Sequence, residues 1–387
     1  MSSNSLYYPR GSHTRNNCSP LRVQLLILIG FVLGFLMALG TLLLYNRFQL
    51  DTVKQRQQTT ATEYWKTRYM TALQELDTQN DILHQHLNKN LRVVCMVLTS
   101  PNQHESHAKH VKATWGKRCS RLIFLSSEMD ADLGAVSVIE PEMDTYDDLW
   151  KKTREGFRYV YDNYYDDYDW FVKADDDTYM VMENLRYMLY AYHPETPIYF
   201  GYQLVRYGVP YMSGGAAYVL SKEALRRFMT LAFHNATLCP RPQKFGIEDF
   251  YMGICLQNVG VHLADARFAL SSDNKPKFMP LDLQTYLNPD NTTKISDWLY
   301  KMTPHRIEIG LNCCSNYSIA FHYTNPWSMY LYEYFIYHLR AFGVQHHQKS
   351  LPKKLTLEEV SELFPSNYTA GGKPVVDIAA QNLPDNY

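Results

Sequence analysis

The most apolar stretch of the sequence covers residues 23–45 (VQLLILIGFVLGFLMALGTLLLY), which carry no charge and a single amide, Gln24. Its length suits a helix that spans a membrane. Because the run starts well inside the sequence and lacks an evident small-residue cleavage site, it predicts an uncleaved signal-anchor and not a signal peptide. Residues 1–22 are then a cytoplasmic tail if the rest of the chain is lumenal.

Residues 46–90 are polar and show no strand pattern, which predicts a stem that is helical at least in part. One set of residues recurs at alternating four- and three-residue spacing: Tyr69, Leu73, Leu76, Asn80, Leu83 and Leu87. Such a seam with one polar member is typical of a helix homodimer, in which the Asn fixes the register. The run is short for a coiled coil, so a single stem helix that rests on the following domain explains it equally well.

Beyond the stem, short runs rich in β-branched and aromatic residues alternate with amphipathic helical segments. We predict strands at residues 92–99, 121–126, 170–174, 198–201 and 216–220. We predict helices at residues 106–115, 145–163, 182–192 and 247–258, and a further helix that Ser221 caps. This alternation predicts an α/β domain over residues 91–344, with helices on both faces of a sheet. Residues 345–387 are polar and contain prolines, and we expect them to be loosely ordered.

The charges nearly balance, with 38 basic and 39 acidic side chains, which gives no sign of a nucleic-acid partner. Cys18 precedes the apolar run, and the other cysteines follow it: Cys95, Cys119, Cys239, Cys255, Cys313 and Cys314. Their spacing matches no zinc pattern but suits disulfides of an oxidising compartment. Order alone does not determine the pairing. We favour Cys95 with Cys119 and Cys239 with Cys255, while Cys313 and Cys314 either bridge each other or pair elsewhere.

N-glycosylation sequons begin at Asn235, Asn291, Asn316 and Asn367, all after the apolar run. Sequons are meaningful only in a lumenal segment, so they favour a lumenal position for the domain, in agreement with the cysteines. The charges beside the apolar run orient it only weakly, since basic residues flank both of its ends.

Three adjacent acids, Asp175, Asp176 and Asp177, directly follow the predicted strand at residues 170–174. Adjacent carboxylates repel one another at the end of a buried strand unless a cation compensates them. Hard oxygen ligands suit Mg²⁺ or Mn²⁺, and such an ion bridges to a diphosphate when part of its coordination stays open. The alternative is a solvated acidic turn, because Asp clusters are common in loops.

Further blocks favour the metal interpretation: AKHVKATW (108–115), LWKKT (149–153), WFVKADDDTY (170–179), PIYFG (197–201), YMSGGAAYVLSKEALRRF (211–228), IEDFYMG (247–253) and CCSNYSIAFHY (313–323). In these blocks the chain resembles the animal core 1 β1,3-galactosyltransferases, which belong to the same glycosyltransferase group as Fringe. The resemblance covers about residues 92–344 and implies a GT-A type fold with a Rossmann-like mixed sheet. It implies an inverting transfer of galactose from UDP-galactose, with Mn²⁺, to O-3 of GalNAc α-linked to Ser or Thr of a glycoprotein. It also implies a single-pass type II protein of the Golgi membrane with a lumenal catalytic domain.

The resemblance assigns roles to individual residues. It implies metal ligands at Asp175, Asp177 and His322, although His322 by itself is explained as an ordinary strand histidine. It implies that the nucleotide-sugar contacts are Thr99, Lys112, Trp115, Lys152, Asp175, Asp176, Gly214 and Gly215. The base that removes the acceptor proton is implied to be Asp249 or Glu248, of which we favour Asp249. Acids at a helix start have an alternative explanation, because they interact favourably with the helix dipole.

Three departures from the family pattern concern acceptor recognition. Residues 202–205 (YQLV) are uncharged where the family is basic, and Phe268 ends an Asp-Ala-Arg-Phe sequence where the family has Asp-Ser-Arg-Asp. The family's aromatic-rich segment before the paired cysteines is reduced here to residues 297–310 (DWLYKMTPHRIEIG), which keep Trp298 and Tyr300. Two alternatives therefore stay open: a related β1,3-glycosyltransferase with another donor or acceptor, and a non-catalytic chaperone-like relative. The intact acidic triplet and His322 argue against the chaperone, which has no need of metal ligands.

Overall fold

The computed structural model describes residues 20–242, 247–269, 274–288, 295–342, 350–369 and 374–376. The chain divides into two units, Met1–Gln79 and Asn80–Tyr387. Helix α1 (Pro20–Asn90) begins in the first unit and contains a segment, Gln24–Arg56, that is long and apolar enough to cross a membrane. This segment overlaps the apolar run at residues 23–45, so the helix is a candidate membrane anchor or signal.

The described strands, in chain order, are β1 (Val93–Leu98), β2 (Arg121–Ser126), β3 (Ala135–Ser137), β4 (Trp170–Asp175), β5 (Tyr179–Met180), β6 (Ile198–Gly201), β7 (Gln203–Arg206), β8 (Val209–Met212), β9 (Tyr218–Ser221), β10 (His262–Asp265), β11 (Phe278–Met279) and β12 (Ala320–Phe321). The helices after α1 are α2 (Lys109–Ala113), α3 (Leu149–Tyr164), α4 (Met182–Leu189), α5 (Lys222–Arg227), α6 (Glu248–Gln257), α7 (Leu283–Leu287), α8 (Asp297–Met302), α9 (Pro326–Tyr337) and α10 (Leu357–Leu363).

The main sheet has seven strands in the order β10-β6-β9-β4-β1-β2-β3. Strand β9 runs antiparallel to its neighbours β4 and β6, and the other pairs are parallel. Every residue of β1 is buried, as expected for a strand covered on both faces. The register places Leu98 of β1 opposite Asp175 of β4, so the acidic triplet emerges at the carboxyl edge of the sheet, where open α/β sheets bind ligands.

Two apolar cores lie on opposite faces of this sheet. Alternate residues of β1 divide between them: Val93, Cys95 and Val97 belong to one cluster, and Val94 and Met96 belong to the other. The first cluster includes residues of α2 and α4, and the second includes residues of α3, α5 and α6. Helices therefore cover both faces, and the mixed α/β prediction is confirmed.

A second, three-stranded sheet joins distant parts of the chain in the order β11-β12-β5. Strand β12 pairs antiparallel with β5, with Phe321 opposite Tyr179. Since β5 follows the acidic triplet and His322 follows β12, this pairing brings the histidine next to the acids.

The structure contains the disulfides Cys95–Cys119 and Cys239–Cys255, so both favoured pairs are confirmed. Cys313 and Cys314 bridge each other, which was one of the two alternatives. The first bridge ties the central strand β1 to the segment that precedes β2, and the second ties α6 to the chain before it.

Several predicted boundaries differ from the observed ones. The predicted helix at residues 106–115 is divided into a π-turn at His104–Ala108, helix α2 and a 3₁₀ turn at Trp115–Arg118. Helix α3 begins at Leu149 and not at Thr145, because a 3₁₀ turn at Tyr146–Asp148 precedes it. Strand β9 begins at Tyr218, since Ala217 has a positive φ of 66° that interrupts extended backbone.

Part of the segment that was expected to be loosely ordered, residues 345–387, is regular. Helix α10 begins with a capping box between Thr356 and Glu359, and Val360 and Phe364 are buried in the first core. The Asn258 side chain also bonds the backbone of Val376. The capping box was visible in the sequence as T-x-x-E, whereas the buried contacts depend on distant residues.

The predicted stem seam is described only at its end. Leu87 is buried in the first core and Leu83 is half-buried, which agrees with a helix that rests on the domain. The side chains of Tyr69, Leu73, Leu76 and Asn80 lie outside the described ones, so the helix dimer stays a prediction.

Candidate functional site

The loop after β4 holds the acidic triplet in a defined conformation. The Thr178 amide donates to the Asp175 carbonyl at 3.1 Å, and the Thr178 hydroxyl donates to the Gly215 carbonyl at 2.8 Å. The indole Nε1 of Trp115 donates to the Thr178 carbonyl at 2.8 Å from the core below. These three hydrogen bonds hold the turn in one conformation, so the three carboxylates stay close together although they repel one another.

Asp175, Asp177 and His322 form a cluster whose potential ligand atoms lie within 4.8 Å of one another. His322 Nε2 is 3.3 Å from Asp177 Oδ1 and 4.0 Å from Asp175 Oδ2. The Thr324 amide donates to the Asp177 carbonyl at 2.7 Å, which fixes the histidine segment to the acidic loop. Two carboxylates and one imidazole form a donor set that suits a divalent cation such as Mn²⁺.

The electrostatics of this cluster agree with a cation site. Burial alone would raise the pKa of Asp177, but the hydrogen bond and charge of His322 outweigh it and lower that pKa. Burial alone would lower the pKa of His322, but Asp177 and Asp175 outweigh it and raise that pKa. The imidazole and the two acids therefore stabilise the charged forms of one another.

The glycine turn between β8 and β9 passes very close to these residues. A Cβ at Gly215 would overlap the His322 ring, and a Cβ at Gly214 would lie 2.6 Å from Glu248 Oε2. Both positions therefore require glycine for close approach of the backbone. Positive φ angles at Ala217 (66°) and Tyr323 (51°) follow the turn and the histidine, and such strain is typical of functional sites.

Glu248 and Asp249 begin helix α6 with different partners. Asp249 is half-buried and accepts the Gly214 amide at Oδ2 and the Phe250 amide at Oδ1, both at 2.8 Å. Glu248 is buried and accepts the Tyr218 hydroxyl at 2.6 Å. Burial raises the pKa of both carboxyls. A carboxylate with a raised pKa and partial exposure suits a general base, which favours Asp249 for that role.

Thr99, Lys152 and Asp176 form a second group beside the cluster. The Thr99 hydroxyl donates to Asp176 Oδ2 at 2.7 Å, and Lys152 Nζ donates to the Thr99 carbonyl and to Asp144 Oδ1. Burial raises the pKa of Asp176 to about 7, although the Thr99 hydrogen bond opposes the rise. The structure thus brings together three of the residues for which nucleotide-sugar contacts were implied.

Comparisons with known proteins identify the group to which this site belongs. A Fringe-like family model matches residues 89–275, which contain the acidic triplet, the glycine turn and Asp249. Over 269 residues the chain is 38% identical to glycoprotein-N-acetylgalactosamine 3-beta-galactosyltransferase 1 of Xenopus laevis, covering 69% of this chain and 72% of that protein. The chain belongs to this galactosyltransferase family. His322 lies beyond the Fringe-like match.

Two more distant relatives match this chain over only part of their own length. A beta-1,3-glucosyltransferase of Mus musculus is 25% identical over 177 residues, which cover 45% of this chain and 35% of that protein. Chondroitin sulfate synthase 3 of Homo sapiens is 26% identical over 181 residues, which cover 42% of this chain and 20% of the synthase. The similarity thus extends across transferases whose names specify different sugars.

Two of the implied donor contacts, Lys112 and Trp115, have hydrogen-bond partners outside the Asp175–Asp177–His322 cluster. Lys112 is exposed on α2 and donates to the Asp132 carbonyl. The Trp115 ring is fully buried, so it contacts the loop from inside the core and has no surface for a nucleotide. Trp115 therefore supports the acidic loop, and the sequence block that contains it reflects packing.

Sequence reasoning did not identify Lys173 as a site residue of the galactosyltransferase. Its Nζ lies 2.7 Å from Asp175 Oδ1, 3.3 Å from Glu248 Oε2 and 3.3 Å from the Gly214 carbonyl oxygen. Burial alone would lower its pKa, but the charges of Asp175 and Glu248 outweigh it and raise that pKa, which keeps the cation protonated. A lysine inside an otherwise apolar strand was the available signal.

Proposed function

We propose that this protein transfers galactose from UDP-galactose to O-3 of GalNAc α-linked to Ser or Thr of glycoproteins, with inversion, to make the core 1 O-glycan (T antigen). The observation that carries the proposal is the 38% identity over 72% of a relative named for that activity. The Asp175–Asp177–His322 cluster beside Asp249 supplies the groups that such chemistry needs.

The residues fit a divalent metal, and we infer Mn²⁺ as the cofactor. Asp175, Asp177 and His322 would hold the ion, which would offset the charge of the departing diphosphate. Lys173 pairs with Oδ1 of Asp175, whereas Oδ2 is the oxygen that faces His322. Lys173 therefore orients the Asp175 carboxylate towards the cluster. We assign the nucleotide contacts to Thr99, Lys152 and Asp176, which bond one another beside the cluster, and we assign contacts with the sugar to the backbone of Gly214 and Gly215.

Proton removal is assigned to Asp249. A single displacement requires a base on the acceptor hydroxyl as UDP departs, and Asp249 accepts two backbone amides that fix its carboxylate. Glu248 is less suited, because its carboxylate is buried and pairs with the Lys173 cation, whereas Asp249 is half-buried and more accessible to an acceptor hydroxyl. Glu248 instead holds Lys173 and the start of α6 in place.

We also propose that the protein resides in the Golgi membrane. We propose a single-pass type II protein in which the apolar segment of α1 is the anchor and the domain after it is lumenal. The three disulfides of the described residues agree with an oxidising lumen. The acceptor is then a glycoprotein that already carries GalNAc.

A panel assay of the full chain tests the proposal. UDP-galactose, UDP-glucose, UDP-GalNAc and UDP-GlcNAc are offered with a GalNAc-α-Thr peptide, a fucosylated peptide and a chondroitin oligosaccharide. We expect product only from UDP-galactose with the GalNAc peptide, and a β1,3 linkage by NMR. Product from another pair would support the second candidate, a related β1,3-glycosyltransferase, which the similarity to the glucosyltransferase favours.

The metal assignment has its own experiment. Asp177→Ala removes one proposed ligand from a half-buried position, so the domain should stay folded while Mn²⁺-dependent transfer is lost. Binding of Mn²⁺ by calorimetry should weaken in parallel, and Asp166→Ala, which removes an exposed acid elsewhere, is the control. Wild-type turnover and Mn²⁺ affinity in Asp177→Ala would refute this ligand set.

A further inference from the structure

Two arginine side chains, Arg154 and Arg241, converge on one backbone carbonyl outside the metal cluster. Arg154 of α3 donates from Nη2 to the Phe233 carbonyl oxygen at 2.8 Å, and Arg241 donates from Nη2 to the same oxygen at 2.5 Å. The two guanidinium groups are therefore only a few ångströms apart. Phe233 is buried in the second apolar core. Like charges at this separation repel one another, and apolar surroundings strengthen the repulsion.

Within the described part of the chain, no acid forms an ion pair with Arg154 or Arg241. The charge of Glu155 favours the Arg154 cation, but Glu155 pairs with Arg158 at 2.7 Å. The sequence gives the same indication, because residues 224–247 contain neither Asp nor Glu. Burial, and after it the charge of Arg241, lower the pKa of Arg154 to about 10, which leaves this guanidinium protonated at neutral pH. The pair therefore keeps two positive charges.

Arg154 also lacks a hydrogen-bond acceptor for one of its buried donors. The residue is 8% exposed, and its Nε is buried without a partner among the described residues. The ring centroids of Phe233 and Trp150 lie 4.4 and 5.9 Å from its guanidinium carbon, and such contacts offset part of the charge of one cation. An unpaired buried donor and an uncompensated buried charge both remain, and both are costly. Arg241 is exposed, so the pair is open to solvent on one side.

We propose that Arg154 and Arg241 form a binding site for a tetrahedral oxyanion, which is phosphate or sulfate, either free or as a monoester on a sugar. Guanidinium groups bind such anions through paired N–H donors in a fixed planar arrangement. An anion held between the two groups replaces their repulsion by attraction to a shared negative charge. A carboxylate or a chloride ion fits less well, because it offers fewer acceptor oxygens to two converging guanidinium groups.

The site lies between α3 and the segment that precedes α6. Arg241 follows Cys239, and the disulfide of Cys239 with Cys255 ties this segment to α6. The Trp150 indole donates to the Pro240 carbonyl at 3.0 Å, which ties the same segment to α3. A bound oxyanion would add a further link between the two. This inference goes beyond the proposed transfer reaction and does not depend on it, because anion binding is measured without any sugar transfer.

Calorimetric titration of the full-length protein with sodium sulfate tests the proposal. The protein is first dialysed free of divalent metal, so that no ion in the Asp175–Asp177–His322 cluster can hold the anion. Sodium chloride and sodium acetate at the same ionic strength are the comparators. We expect saturable binding of sulfate that is at least tenfold tighter than binding of acetate or chloride. Arg241→Gln should weaken sulfate binding at least tenfold, because it removes one of the two cations at an exposed position.

Further variants control for the loss of charge. Arg340→Gln, the same change at another exposed arginine, should leave the sulfate affinity unchanged. Arg241→Lys keeps the charge without the paired donors, so its affinity should lie between those of the unmodified protein and Arg241→Gln. Equal sulfate affinity in the unmodified protein and Arg241→Gln, or no preference for sulfate over acetate and chloride, would overturn the proposal.

Galactose 6-sulfate distinguishes the two sources of the anion. If it binds and Arg241→Gln weakens that binding at least tenfold, the site accepts a sulfate monoester on a sugar. If inorganic sulfate binds in an Arg241-dependent manner and galactose 6-sulfate does not, the site is specific for the free anion. Either result supports the oxyanion site and identifies its ligand.

Discussion

Asp249 and Glu248 are neighbours in the chain, but only one of them has the surroundings of a base. We predict that Asp249→Asn lowers turnover by roughly two to four orders of magnitude, the usual contribution of a positioned base. UDP and Mn²⁺ affinities should change little, because the carboxamide keeps the shape and one acceptor oxygen. Turnover and affinity are measured separately by steady-state kinetics and calorimetry.

Glu248→Gln is the matched control for this substitution. It should lower turnover less, since the loss weakens the contact with Lys173 and leaves the proton acceptor intact. An inactive Glu248→Gln together with an active Asp249→Asn would exchange the two roles.

The pH profile of the reaction depends on the same carboxylate. Asp249 must be ionised to accept a proton, and burial raises its pKa. The value of kcat/KM should therefore fall on acidification with a midpoint above the ordinary aspartate pKa of roughly 3.9, and should be flat at higher pH. The apparent midpoint belongs to the coupled pair with Glu248. A midpoint at or below that of free aspartate, at saturating Mn²⁺, would contradict the assignment.

Gly215 allows the turn to pass against His322. Gly215→Ala should displace the imidazole, because the added Cβ would overlap its ring. We expect Mn²⁺ affinity and turnover to fall at least tenfold with the fold retained. Gly40→Ala, where an added Cβ meets nothing within 4 Å, controls for the substitution itself. Unchanged Mn²⁺ dependence in Gly215→Ala would show that the histidine does not need this close approach.

At the scale of elements, ion pairs of Glu333 with Arg118 and Lys117 hold α9, and α9 directly follows the histidine segment. Glu333→Gln removes the charge that Arg118 and Lys117 share, and hydrogen bonds to charged groups contribute about 1.5–3 kcal/mol. Arg118 is largely buried but Lys117 is half-exposed, so solvent screening reduces the loss to about 1–2 kcal/mol.

The measurement for this prediction is the thermal unfolding temperature of the full chain. It should fall by several degrees in Glu333→Gln and stay constant in Glu128→Gln, which changes an exposed acid. An unchanged temperature in both variants would mean that the apolar contacts of Met329 alone hold the helix.

At the scale of the whole molecule, a lumenal domain should carry N-glycans. Asn235, Asn316 and Asn367 are exposed, so each can present its side-chain amide, while Asn291 lies outside the described residues. Expressed in animal cells, the protein should lose mass on glycosidase treatment, and each Asn→Gln substitution at a used site should remove one step. A membrane-bound protein whose migration the glycosidase does not change would contradict the lumenal orientation.

The sequence by itself determined the features that arise from neighbouring residues. The apolar run predicted the candidate membrane segment of α1, and the alternation of β-branched and amphipathic segments predicted β1, β2, β4, α3 and α6 to within a few residues. The location of the acidic triplet at the end of β4 was also predicted, because the triplet directly follows an apolar, strand-forming run. These patterns can be recognised in the sequence because the spacing of apolar residues in a strand or helix shows which side chains face the core.

Only the tertiary structure decided the features that require distant segments to meet. Pairing of β12 with β5 brings His322 next to Asp177, which is distant in the sequence. The start of α6 meets β4 so that Lys173 lies between Asp175 and Glu248. Helix α9 was not predicted from the sequence, and its orientation was equally hidden. Long-range ionic contacts turn its one charged residue, Glu333, inward, and breaking them would leave charges uncompensated in the protein interior.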